Sequence, residues 1–210
     1  MVGLVSDLSA PTVLMSSLPA GSLAVVRSDI AQLPACLSGD TDYAARGLLG
    51  CLLIRELDEG LIVARIVEVE AYDQNDPASH TFHGESKRNR AMFGPSGHAY
   101  IYFTYGMYHC FNITAGKQGF GSGVLIRAVE PLQGMDIIER RRGRRGPSCV
   151  NGPAKLCMAL NIDDALYGHD LTLPPLQVRA DGLRVGEHIE STTRIGISKA
   201  VDRRRRYVIA

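Results

Sequence analysis

Apolar and polar residues along the chain follow a helical spacing first and then alternate. Tyr43, Ala44, Leu48 and Leu49 recur at helical spacing behind Asp40, Thr41 and Asp42, three residues that cap helix starts, so a helix is predicted up to Gly50. Two β-rich runs follow, 51–55 and 61–72, and the turn residues Asp58, Glu59 and Gly60 between them predict a hairpin. A second pair of runs, 98–104 and 108–114, flanks Tyr105 and Gly106 and predicts another. A strand is expected over 124–129 and a helix over 132–142. Asn151-Gly152-Pro153 opens a further helix that runs to Leu160. Runs 194–197 and 206–209 read as closing strands. Residues 1–30 mix Ser, Gly, Pro and scattered aliphatics without period and read as a poorly ordered lead-in. With no repeat, linker or low-complexity tract, residues 31–210 are expected to form one domain.

Composition narrows the class. The 210 residues are 45% hydrophobic and 21% charged, as in an ordinary globular domain. A chain of this length can bury roughly 70% of its surface, enough for a core and a deep pocket. Its five cysteines are an odd number without a C-x-x-C pair, which argues against a disulfide framework or a structural zinc site and fits a reducing cytosol. No stretch has the ~18 uninterrupted apolar residues of a membrane helix, and the first 30 residues carry acid where a signal peptide carries base. The expected location is the cytoplasm, associated with the nucleoid in a bacterium, with no membrane partner. The net charge of +1 hides two basic clusters, five arginines within 140–145 and four in 203–206. Such clusters can dock a polyanion, although most charge runs are simply solvated surface.

Candidate chemistry concentrates in two strands. In the run 61–72, Leu61, Val63, Val67, Val69 and Ala71 form an apolar face by alternation, while Glu68, Glu70 and Tyr72 share the other. That polar face is either the wet side of a half-exposed strand or part of a site. Carboxylates two apart on a strand lie ~6.7 Å apart, near the spacing of an inverting glycosidase. Such enzymes flank the scissile bond, whereas two neighbours on one face approach from one side, so at most one of the two is expected to act on substrate. The second hairpin holds Tyr100, Tyr102, Phe103, Tyr105, Tyr108 and Phe111 within 12 residues. Tyr100 and Phe111 are expected in the core. Tyr105, beside Gly106 at the turn and followed by Met107, is harder to bury; it is placed to wedge between stacked bases, to contact a partner or to fold back onto the sheet.

These segments also carry a resemblance. Val67-Glu-Val-Glu-Ala-Tyr72, Ala78-Ser-His80, Arg88-Asn-Arg-Ala-Met-Phe-Gly-Pro95, Tyr102-Phe-Thr-Tyr-Gly-Met-Tyr108, Phe111-Asn112, Val124-Leu-Ile-Arg127, Glu130-Pro131 and Gly152-Pro-Ala-Lys-Leu-Cys157 resemble, in order and spacing, the alkyladenine (3-methyladenine) DNA glycosylase family. The resemblance spans about residues 40–208. It implies an α+β fold, a single compact domain with a curved, mostly antiparallel β-sheet surrounded by helices and a protruding β-hairpin. It further implies a monofunctional enzyme that flips alkylated or deaminated purines (3-methyladenine, 7-methylguanine, hypoxanthine, ethenoadenine class) from duplex DNA and hydrolyses the N-glycosidic bond.

By that resemblance Glu70 is the base that activates water, Arg127 its partner and Val208 the source of a backbone carbonyl to the same water. A neighbouring cation favours an ionised carboxylate. Tyr72, His80 and Tyr102 would line the base pocket, and Asn112 would exclude guanine by collision with its exocyclic amino group. Tyr105 would intercalate, with Met107 and Tyr108 beside it in the minor groove. A purine alkylated at N3 or N7 is already cationic and leaves without a proton, so one base suffices for such substrates. No lysine falls in the base-flanking segments, so no Schiff base and no strand cleavage are expected. Lys155, at a helix start, reads as a phosphate contact or an exposed residue. His80, His83, His98 and His109 fit no common ligand spacing, and neither metal nor cofactor is expected. The partner is double-stranded DNA with damaged purines, and the enzyme is expected to act as a monomer. Two other classes compete: a nucleoside hydrolase using Glu70, which would need no wedge, and a non-catalytic module gripping nucleic acid with arginines and tyrosines.

Overall fold

The computed structural model describes residues 32–210, and the expectation for residues 1–30 lies outside them. Asp40 caps the first helix, α1 (Thr41–Leu48), by accepting the Tyr43 N–H at 2.8 Å. Ala44, Ala45 and Leu48 turn inward, while Tyr43 stays exposed. Strands β1 (Leu52–Leu57) and β2 (Gly60–Asp73) form the first predicted hairpin, closed by Asp58 and Glu59. The second hairpin is β3 (Ala99–Thr104) and β4 (Tyr108–Thr114). Strand β5 (Ser122–Gln133) runs on past the predicted 124–129, so helix α2 (Met135–Arg142) starts three residues later than expected, after Gly134. Helix α3 (Pro153–Leu160) begins at its predicted proline.

Three further strands complete one antiparallel sheet: β6 (Leu176–Arg179), β7 (Ile189–Thr192) and β8 (Arg206–Ile209). The order is β3-β4-β5-β2-β1-β6, and the β7–β8 pair joins alongside β2. No run of alternating residues was expected to form β6 or β7. Residues 194–197, expected as a strand, form a loop instead, because Gly196 adopts a φ of 77° that no strand tolerates. Among the described residues the architecture is the expected single α+β domain, a curved antiparallel sheet with three α-helices. Among the described residues no helix is long and apolar enough to cross a membrane.

The sheet has a core face and an open face. Ile101 on β3, Phe111 and Ile113 on β4, and Val124 and Ile126 on β5 enter the core with α1 and α3 residues such as Leu48, Leu156 and Leu160. On β2 the expected alternation fails. Ile62, Ala64 and Ile66 are in the core, at even positions, and then Val69 and Ala71 at odd positions. Leu61 and Val63 are only half-buried. The change of phase comes from register shifts against β5 between Ile66 and Glu68 and between Glu68 and Val69, the first leaving Val67 and the second Arg127 outside the pairing. Without that slip Glu70 would point into the core.

Candidate active site

Because of the slip, residues of the same face line up across four strands. Glu70 pairs with Leu125, Leu125 with Asn112, and Asn112 with Tyr100. All four line a cavity of about 510 Å³, together with Tyr72, Tyr102, Cys110, Arg127, His80 and the loop 195–199. That volume lies within the range of small-molecule sites. Tyr100, expected in the core, is almost wholly buried yet belongs to this wall, since its neighbour Ile101 takes the core side. Phe111 is in the core as expected.

Glu70 lies at the floor, with 0% exposure. Its Oε2 accepts a hydrogen bond from the Tyr72 hydroxyl at 2.8 Å, and its Oε1 accepts one from the Ile195 N–H at 2.8 Å. Arg127 NH1 is 3.3 Å from Oε1. The same arginine donates from Nε to Glu68 at 2.9 Å, and Glu68 also accepts from Arg206 Nε at 2.7 Å. The two carboxylates therefore differ in use. Glu68 is spent on two guanidinium groups and fixes Arg127, whereas Glu70 faces the cavity.

The walls are aromatic. His80 meets Tyr102 edge-on, with centroids 4.6 Å apart, and its Nδ1 is 2.8 Å from the Tyr100 hydroxyl. Asn89 Nδ2 donates to the His80 carbonyl at 2.8 Å and to the Gly84 carbonyl at 3.0 Å, which holds the loop carrying the histidine. Burial pushes the hydroxyls of Tyr72, Tyr100 and Tyr102 above the ordinary phenol value, reinforced at Tyr72 by the Glu70 charge, so all three remain neutral. Burial also lowers the basicity of His80, and the Arg88 charge adds to it. Asn112 is buried and donates from Nδ2 to the Tyr100 carbonyl at 3.1 Å, which fixes its orientation in the wall.

The β3–β4 hairpin stands at the cavity mouth, with Thr104 and Tyr105 among the lining residues. Tyr105 and Gly106 at its tip have φ values of 50° and 68°, and Tyr105 is 84% exposed. A positive φ costs a residue with a Cβ of order 1 kcal/mol, and a ring this exposed recovers only part of it by packing. Met107 is also exposed, while Tyr108 is half-buried at the start of β4.

Several expected residues are elsewhere. Val208 does not line the cavity: it pairs with Glu68 on one side and Glu190 on the other, so its backbone belongs to the sheet. The backbone that reaches Glu70 is that of Ile195, within the run misread as a strand; the glycine after it was the available signal. Lys199, which lies outside the base-flanking segments, also lines the cavity. Lys155 instead donates to Asn151 at 2.8 Å. Of the 203–206 arginines, Arg205 and Arg206 are partly buried, Arg205 on Asp42, Asp73 and Asp76 and Arg206 on Glu68, while Arg203 and Arg204 stay exposed, Arg204 bound to the Ser191 carbonyl. Of the 140–145 cluster, Arg141 pairs with Glu59 and Arg142 meets Met158 near the end of α3, away from Pro153 at the cavity. Among the described residues no group of three or more His, Cys, Asp or Glu is placed to hold a metal.

This arrangement, a buried carboxylate with arginine and backbone partners at the floor of an aromatic slot beneath an exposed aromatic tip, has counterparts in sequence. The profile of the methylpurine-DNA glycosylase family matches residues 35–210. A protein of Carboxydothermus hydrogenoformans, provisionally named a 3-methyladenine DNA glycosylase, is 50% identical over 165 residues, covering 78% of this chain and 86% of that protein. Similarly named proteins of Methanoculleus marisnigri and Rubrobacter xylanophilus are 48% and 45% identical, covering 78% and 77% of this chain and 86% and 85% of theirs. A match running almost the whole described length, through both walls and the floor of the cavity, means that the chain belongs to the methylpurine-DNA glycosylase family and is a DNA glycosylase.

Proposed function

We propose that this enzyme extrudes alkylated or deaminated purines from duplex DNA and hydrolyses their N-glycosidic bond with a water activated by Glu70. The observation that carries the reading is the partner count at that carboxylate. An ionised carboxylate has about four lone-pair sites. Tyr72, Ile195 and Arg127 take three, and because Glu70 belongs to the cavity lining we assign the fourth to the attacking water. Water at that site loses its proton to Glu70 as its oxygen attacks the anomeric carbon and the base leaves with the bonding electron pair. Arg127, anchored by Glu68, and the Ile195 backbone hold the carboxylate in place.

The extruded base stacks between Tyr72 on one side and His80 with Tyr102 on the other, and Asn112 excludes the guanine amino group. Each base–aromatic stack is worth ~1–3 kcal/mol, comparable to the few kcal/mol that extrusion costs. Tyr105 fills the gap left in the duplex, with Met107 and Tyr108 against the minor groove. A nucleoside hydrolase needs no such tip, and a binding module needs no such carboxylate. Lys199 is exposed at the rim and Glu70 is buried at the floor, which favours attack by water over attack by an amine. The test is release of free base from duplexes carrying single defined lesions, followed by borohydride treatment. Base release without a covalent protein–DNA adduct is expected; absence of release from every lesion duplex overturns the reading.

A further inference from the structure

The wall formed by Tyr72 has a charge behind it. Arg194 Cζ is 4.6 Å from the centroid of the Tyr72 ring. Its side chain is wholly buried and does not line the cavity, so the guanidinium stands on the protein side of the ring. It is held there by both Asp76 carboxylate oxygens, with NH2 to Oδ1 at 3.0 Å, and by the Ala71 carbonyl at 3.0 Å from NH1. Its Nε has no hydrogen-bond acceptor among the described residues. NH2 also reaches the Ala200 carbonyl at 3.5 Å, and the ring face is a further electron-rich partner of this group.

We propose that Arg194 is a specificity-determining residue that biases the cavity against cationic purines and toward neutral ones. The proposal rests on the reading of Tyr72 as a wall against the extruded base. A cation on one face of an aromatic ring draws π density to itself and repels a second cation on the opposite face. Purines alkylated at N3 or N7 carry a fixed positive charge, and deaminated purines do not. A base in van der Waals contact with the ring would sit about 8 Å from the guanidinium. At that distance and an effective permittivity of 20, the repulsion alone corresponds to a rate ratio of about thirtyfold, which the Asp76 charge a few Å further away reduces to about threefold. The pair thus acts as a dipole with its positive end toward the base.

Asp76 supplies a second handle. It also contacts Arg205 at 3.2 Å and Arg203 at 3.9 Å, so it keeps cationic partners when Arg194 is neutralised. The experiment measures single-turnover release of 7-methylguanine and of hypoxanthine from matched duplexes at saturating enzyme, with spontaneous depurination subtracted and folding checked by thermal melting. Arg194→Gln is expected to raise the ratio of 7-methylguanine to hypoxanthine release by about threefold to thirtyfold, the lower figure applying where Arg205 and Arg203 neutralise Asp76, and Asp76→Asn to lower it. Arg194→Lys, which keeps the charge, should stay near the wild-type ratio. A purely structural role slows both bases alike in either variant, and an unchanged ratio, or one that moves in the same direction in both, overturns the proposal. Wild-type protein that releases neither base overturns the proposed function itself.

Discussion

Replacing Tyr105 with asparagine separates the stability of the hairpin tip from its use. Tyrosine at a φ of 50° carries a left-handed backbone cost of about 1 kcal/mol. Asparagine tolerates that conformation and removes most of the cost. The loss on the other side is small, because the ring is 84% exposed. Fully burying an aromatic side chain is worth ~1.5–3 kcal/mol, so the buried sixth of this one contributes about 0.5 kcal/mol or less. The balance is about 0.5 kcal/mol in favour of the variant, a rise of roughly 1–2 °C in melting temperature for a chain of this size. Activity should move the other way. A wedge in the base stack is worth ~1–3 kcal/mol, so excision from duplex DNA should fall about 5- to 150-fold. On a single strand there is no stack to hold open, and the rate should be unchanged. Thermal melting and the duplex-to-single-strand ratio of single-turnover rates read the two halves, with Tyr105→Phe as the ring-preserving control. A melting temperature several degrees lower would mean that the tip packs against the protein, and an unchanged ratio would mean that it does not enter the duplex.

Glu70→Gln should abolish base release while lesion binding persists, since the walls remain. Glu68→Gln should slow release without abolishing it, because Arg127 loses an anchor; equal losses in single-turnover rate would refute that division of roles. Asn112→Ser should raise release of normal guanine, measured by chromatography of free bases at equal protein concentration, and no rise in a folded variant would place the exclusion elsewhere. Burial tends to raise the Asp76 carboxyl, but the hydrogen bonds from Arg194 and the Ala78 N–H and the charges of Arg194 and Arg205 outweigh it and hold it below the ordinary value. The unfolded chain therefore binds this proton more readily, and the stabilisation is complete above the ordinary carboxylate range and lost as pH falls through the lowered native value. Melting temperature should accordingly fall less steeply on acidification below about pH 4 in Asp76→Asn than in wild type.

The parts legible in the sequence are those where local pattern and tertiary environment agree. Strands β3 and β4 keep strict alternation, so Tyr102 and Asn112 fall on one face and Phe111 on the other without interruption. Asp40 and Pro153 announce their helices by local chemistry alone. Strand β2 misled because its apolar residues occupy both parities, and the slip that decides between them is a property of its pairing with β5. Ile195-Gly196-Ile197 imitates a strand by alternation, which conceals a loop whose Ile195 N–H reaches Glu70, whereas the expectation for Val208 came from the family resemblance alone. The ion-pair network of Asp42, Asp73 and Asp76 with Arg194 and Arg205 joins segments more than 100 residues apart, and no local period encodes it.

The register slip between β2 and β5 explains why this sheet carries an active site at its middle rather than at an edge. Bulges interrupt the hydrogen-bond ladder and tighten the twist, and they cost least at sheet margins. Here both irregularities fall on a central strand, within three residues of each other on β2, and next to the only stretch of it that also pairs with β8. One leaves Val67 outside the pairing and turns Glu70 and Tyr72 from the core to the open face. The other leaves Arg127 outside and turns it toward both glutamates. Neither alone suffices, since Glu70 at the open face without Arg127 would be a buried carboxylate lacking its cation, and Arg127 without Glu70 would be a buried cation with only Glu68. Burying Glu70 without its cation costs several kcal/mol, and Arg127 would keep one carboxylate where it now has two. The two irregularities are thus coupled through the ion pair they create, and removing one by shortening β2 or β5 by a residue should destabilise the fold as well as abolish base release.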